Sequence, residues 1–103
     1  MKPAAFTHLA PNNLSDALHM LGDHAPDARV LAGGQSLVPM MNFRLARPAV
    51  LVDLNRIDTL SYIRDDGDCL AIGAMTRERT VENSDLIRTA CPLVHDATLN
   101  IAH

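Results

Sequence analysis

Leu31-Ala32-Gly33-Gly34-Gln35-Ser36-Leu37-Val38-Pro39 is the stretch on which the reading turns. Ala28 to Ala32 read as a short buried strand that runs straight into two glycines, and Ser36 can then cap a brief helical turn with Pro39 in its first turn. Two residues without Cβ atoms let neighbouring N–H groups gather and let an anion come close to the backbone. The loop holds no lysine, so the charge of a diphosphate would have to be met by N–H dipoles, the Ser36 hydroxyl and the Gln35 amide. That supply suits a retained dinucleotide better than a triphosphate awaiting hydrolysis, which calls for a Walker-type lysine. The loop is not a Gly-x-Gly-x-x-Gly fingerprint either. A plain tight turn is the commoner meaning of two glycines after a strand, and the loop alone does not separate the two readings.

Upstream, Phe6 to Leu9 has weak strand character and ends at the turn-forming Ala10-Pro11-Asn12. Asn13 can cap a helix, with Asp16 in a capping-box-like place and Leu14, Ala17, Leu18 and Leu21 spaced as one buried face; Gly22 supplies a stop. Downstream, Arg47-Pro48 ends the helical turn and Ala49 to Leu54 reads as a second buried strand, followed by a polar turn over Asn55 to Asp58. Leu60 to Arg64 and Cys69 to Gly73 flank Asp65-Asp66-Gly67-Asp68, which predicts a hairpin with Gly67 in a left-handed position. From Thr76 the pattern turns helical: Thr80 or Ser84 can cap, Leu86, Ile87 and Ala90 give an apolar face, and Pro92 can start a further helix with Leu93, Val94, Ala97 and Ile101. The fold class is therefore α+β, a small mixed sheet with flanking helices, without internal repeats or a long linker.

At 103 residues there is room for one domain, and 48% hydrophobic with 20% charged residues is ordinary for a globular fold. With two Phe, one Tyr and no Trp, stacking platforms are scarce, and a net charge of −3 gives no basic field; nucleic acid is not an expected partner. The N-terminus has no apolar run long enough for a signal peptide or a membrane span, so a cytoplasmic protein is the expectation. Cys69 and Cys91 form no metal-binding motif and are expected to be buried free thiols. His8, His19, His24, His95 and His103 lack ligand spacing, so neither a metal site nor a catalytic residue is nominated. Asp65, Asp66 and Asp68 fit a solvated turn, Met40-Met41 packing, and Arg44 and Arg47 an exposed face.

The run from Leu31 to Pro48 resembles the first flavin-binding segment of the FAD subunits of molybdenum hydroxylases, the carbon monoxide dehydrogenase medium chain family. Phe6 and Pro11, Leu51-Val52-Asp53-Leu54 with Ile57, Ile72-Gly73-Ala74-Met75-Thr76 and Cys91-Pro92-Leu93 agree in order and spacing, so the likeness spans essentially the whole chain. The resemblance implies a PCMH-type FAD-binding domain, with an N-terminal subdomain over residues 1–56 and the start of a second over 57–103. It implies FAD as cofactor, held at its diphosphate by Ala32, Gly33, Gly34, Gln35 and Ser36, with Leu37 as a neighbour and Thr76 as a weaker candidate. It also implies a molybdopterin-containing large subunit and a 2Fe–2S small subunit as partners, with electrons passing from iron–sulfur clusters to FAD and on to an acceptor. Family members carry a second glycine-rich segment soon after the place of Ile101-Ala102-His103, so the resemblance implies a truncated flavin subunit whose uncovered face predicts marginal stability, self-association or a missing partner segment. Two other readings stand beside this one: a non-enzymatic interaction module without flavin, and a different nucleotide at Gly33-Gly34.

Overall fold

The computed structural model describes residues 2–101. The chain divides into two compact units, Met1–Asp58 and Thr59–His103.

In the first unit, strands β1 (Thr7–Leu9), β2 (Ala28–Leu31) and β3 (Val50–Asp53) alternate with helices α1 (Leu14–His24) and α2 (Leu37–Asn42). The sheet order is β1-β3-β2 and both pairings are parallel, with Thr7 beside Val50 and Leu31 beside Asp53. Parallel neighbours need crossovers, and α1 and α2 supply them. The central strand is the most apolar, and Val50, Leu51 and Val52 are all buried, as a strand covered on both faces requires, whereas β2, expected to be buried as well, is an edge strand in which only Ala28 is buried and Val30 is exposed. All three strands run the same way, so their C-terminal ends share one edge.

Helix α1 starts as expected: Asn13 Oδ1 accepts from the Asp16 N–H at 2.8 Å, and Asn13 Nδ2 donates to the Asp16 carboxylate at 3.0 Å. It does not stop at Gly22 but runs on to His24. Gly22 costs helix stability without ending the helix, and the extended conformation of Ala25 before Pro26 is what ends it. The expected buried face is also narrower than its spacing suggests. Ala17 is buried and Leu21 half-buried, whereas Leu14 is exposed and Leu18 is 60% exposed.

A 3-10 turn over Asp58–Leu60 bridges the two units in sequence, and the second opens with the antiparallel pair β4 (Ile63–Asp65) and β5 (Leu70–Ile72). Gly67 takes the left-handed conformation expected of it, φ 92°, and its N–H donates to Asp65 Oδ1 at 2.9 Å. Arg64 Nε donates to Asp66 at 2.8 Å while its guanidinium lies 4.6 Å from the Tyr62 ring centre; the Asp66 hydrogen bond and charge raise the Arg64 pKa. The hairpin base is closed by Gly73 N–H to Tyr62 O at 2.8 Å and Met75 N–H to Leu60 O at 2.9 Å. A Cβ on Gly73 would run into the Leu60 carbonyl, so only glycine fits there.

Helices α3 (Glu78–Glu82), α4 (Asp85–Ala90) and α5 (Pro92–Thr98) complete the unit around Val81, Ile87 and Thr98. Of the two expected caps, Ser84 caps α4 by accepting from the Ile87 N–H at 3.2 Å. Thr80 lies inside α3, whose cap position is Arg77. Pro92 opens α5 as expected, but Leu93 faces outward. The cysteines depart from expectation: Cys69 is exposed and Cys91 only half-buried, both free. Cys69 sits where the turn enters β5, before the strand begins, and its carbonyl accepts from Asp66 N–H at 2.9 Å. Among the described residues no helix is long and apolar enough to cross a membrane.

Candidate functional site

Strand β2 gives up its last rung where Leu54 N–H donates to Leu31 O at 3.1 Å, and the chain then leaves the sheet. Gly33 and Gly34 follow with φ of 82° and 86°, two successive left-handed residues that side chains would strain. Val38 N–H to Gly34 O at 3.0 Å closes the turn into α2. A Cβ on buried Gly34 would lie 2.9 Å from Val38 Cγ2 and 3.3 Å from Leu31 Cδ1, so this glycine is required by space as well as by φ. A Cβ on exposed Gly33 would meet only the side chain of Gln35, whose Oε1 is folded back over the loop at 2.6 Å from that point.

Among the described residues, the N–H groups of Ala32, Gly33, Gly34, Gln35 and Ser36 donate to no protein acceptor, and neither does that of Leu37. Gly34 combines burial with an unpartnered N–H, a combination that folded chains rarely tolerate without a ligand or water. Ser36 holds the cap position of α2, but its hydroxyl makes no capping bond, which corrects the expected role and leaves the group available to a ligand. The five residues singled out from sequence thus form one contiguous run of donors around a surface stripped of Cβ atoms. Such a run can hold an anion; it contains no group able to move a proton, so its chemistry is retention. The unpaired amides, the two bare glycines and the Ser36 hydroxyl fit a dinucleotide diphosphate.

The surrounding charge agrees. Residues 28–52 contain Arg29, Arg44 and Arg47 and no carboxylate, although the whole chain is acidic; the carboxylate that stands at the same sheet edge, Asp53 beside Leu31, is engaged by His8 and by the Asn55 N–H. Arg29 Nη1 donates to Ala28 O at 3.4 Å and Arg47 Nε to Arg44 O at 3.2 Å, while the Arg44 guanidinium has no partner among the described residues. Arg44 is also the one non-glycine residue described with positive φ, 56°.

The remaining candidates fall elsewhere. Leu37 is half-buried at the first position of α2. Thr76 Oγ1 donates to Tyr62 O at 3.0 Å and accepts from Tyr62 N–H at 3.1 Å, a clamp on the second unit's own backbone. Met41 is buried packing and Met40 is exposed. In the second unit a polar hollow is lined by Ser84, Arg88 and His95, but Ser84 is spent on its cap and Arg88 on Asp85 at 2.7 Å. Among the described residues no group of three or more His, Cys, Asp and Glu side chains could hold a metal. Sequence reasoning missed one pair, His8 and Asp53, joined through His8 Nε2 and Asp53 Oδ2 at 3.0 Å. Only the parallel register, which puts His8 beside Leu51, reveals it.

The family model described as the FAD binding domain in molybdopterin dehydrogenase matches residues 4–103. The chain is 43% identical to the caffeine dehydrogenase subunit beta of Pseudomonas sp. (strain CBB1) over 103 residues, all of this chain and 35% of that protein. It is 42% identical to the carbon monoxide dehydrogenase medium chain of Hydrogenophaga pseudoflava over 102 residues, 99% of this chain and 36% of that one. A solved structure of the Hydrogenophaga pseudoflava enzyme superposes with a TM-score of 0.96 at 42% identity, covering 100% of this chain and 36% of that chain. Quinoline 2-oxidoreductase from Pseudomonas putida 86 superposes with a TM-score of 0.94 at 36% identity, again over the whole chain and 36% of the other. The chain thus spans about a third of the length of these relatives. With the matched model and these superpositions added to the loop geometry, the chain belongs to the family of FAD-binding domains of molybdopterin dehydrogenases.

Proposed function

We propose that this chain supplies the diphosphate grip of the FAD site in a molybdenum hydroxylase-type oxidoreductase. Ala32, Gly33, Gly34, Gln35 and Ser36 are the binding residues, and the single observation that carries the reading is their uninterrupted row of N–H groups without protein acceptors. When bound, the flavin accepts and returns electrons; the chemistry is the cofactor's. The chain's own share is to fix the diphosphate, and through it the position of the ring, with neutral dipoles and one hydroxyl. In the whole enzyme, electrons reach FAD from iron–sulfur clusters and leave to an acceptor, the partners being a molybdopterin-containing large subunit and a 2Fe–2S small subunit. The test is FAD titration of the purified chain, followed by flavin fluorescence, with Gly34→Val as control. Saturable binding lost in the variant supports the reading, and no binding by the unmodified chain overturns it.

A second reading is an interaction module that holds no flavin and associates with itself. It is favoured by the exposed apolar side chains Leu18, Phe43 and Leu93 and by Leu45, which is 77% exposed. Sedimentation of the flavin-free chain separates the two: a concentration-dependent dimer without FAD uptake supports this second reading.

A further inference from the structure

We infer that His8, oriented by Asp53, is a further ligand-binding residue that accepts a hydrogen bond from a sugar hydroxyl of the dinucleotide; the inference rests on the diphosphate reading of the Gly33-Gly34 loop. Asp53 closes β3 and pairs in register with Leu31, two residues ahead of Gly33. His8 lies on β1, on the other side of β3, and shares a sheet face with Leu51 and Asp53. Both residues therefore stand at the same C-terminal edge of the parallel sheet as the loop, where ligands of open parallel sheets bind. Adjacent strands lie about 4.8 Å apart, so β1 and β2 are separated by roughly 10 Å, within the span from the diphosphate of a dinucleotide to its sugars.

The two oxygens of Asp53 are both employed. Oδ1 accepts from the Asn55 N–H at 2.9 Å, and Oδ2 lies 3.0 Å from His8 Nε2. A carboxylate only accepts, so the proton of a neutral His8 sits on Nε2 and the lone pair on Nδ1. Among the described residues Nδ1 has no partner, and the His8 side chain is 48% exposed against 21% for Asp53. The neutral dyad thus presents an acceptor nitrogen at an edge whose other offerings are N–H donors. Phosphate oxygens call for those donors; the hydroxyls of a ribose or ribityl chain are donors themselves and call for an acceptor.

The test measures affinity of the purified chain for FAD, ADP and inorganic pyrophosphate in the unmodified protein and in His8→Phe and Asp53→Asn. His8→Phe removes the acceptor and is expected to weaken FAD about three- to tenfold while leaving pyrophosphate unchanged. A parallel loss for ADP assigns the ribose of the adenosine half; a loss confined to FAD assigns the ribityl chain. Asp53→Asn has one oxygen, which the Asn55 N–H engages, so its NH2 faces His8 and forces the proton onto Nδ1. Imidazole 15N shifts report that tautomer directly, and FAD affinity should fall with the switch although the ring is still present. Unchanged FAD affinity in both variants, or equal losses for FAD and pyrophosphate, overturns the inference. If the unmodified protein binds pyrophosphate and FAD equally well, the sugar makes no contact and His8 has no such role. If it binds neither, the loop reading fails and takes this one with it.

Discussion

At the scale of single residues, Gly33 and Gly34 perform different tasks. Both need a positive φ, but only Gly34 is also walled in by Val38 and Leu31. Gly33→Ala should therefore cost about 1 kcal/mol of stability from backbone strain alone. Gly34→Ala adds a steric clash to that strain and should cost about 2–3 kcal/mol. Urea denaturation of the two variants checks the order, and equal losses would contradict the packing described for Gly34. Arg44 is the converse case, a side chain where glycine is usual: Leu45 N–H returns to Met40 O at 2.8 Å across it, the 6→1 closure of a helix end. Arg44→Gly should raise stability by about 1 kcal/mol in the same assay, because φ 56° is strained for arginine and ordinary for glycine.

At the scale of elements, what could be read from sequence followed how local the determining physics was. The cap of α1 by Asn13, the cap of α4 by Ser84, the left-handed Gly67 and the proline start of α5 are decided within four residues, and all were legible. The wrong stop at Gly22 and the wrong cap at Thr80 arose because a glycine or threonine is compatible with a helix interior, and only the neighbours decide. Ser84→Ala should accordingly lower stability by about 1 kcal/mol, whereas Thr80→Ala should change it little or raise it slightly; thermal melts distinguish them. Burial was less legible than helicity. The spacing of Leu14, Ala17, Leu18 and Leu21 is that of a helix, but which of them a neighbour covers depends on tertiary packing, and Leu14 and Leu18 stay exposed. The His8–Asp53 pair lies 45 residues apart in sequence and needs the strand order itself.

At the scale of the whole molecule, the acidic chain keeps residues 28–52 free of carboxylates, and the one acid placed at the same sheet edge, Asp53, is tied to His8 and the Asn55 N–H. Binding through backbone dipoles rather than through a lysine should give a shallow dependence on ionic strength; FAD titrations between 50 and 500 mM salt read it, and a steep loss on adding salt would shift the grip to the arginines. The most direct test of the central claim follows the amides themselves. In the uniformly 15N-labelled chain titrated with FAD, the largest chemical-shift changes are expected at the N–H groups of Gly33, Gly34, Gln35 and Ser36. Saturation with FAD while those resonances stay in place would contradict the account.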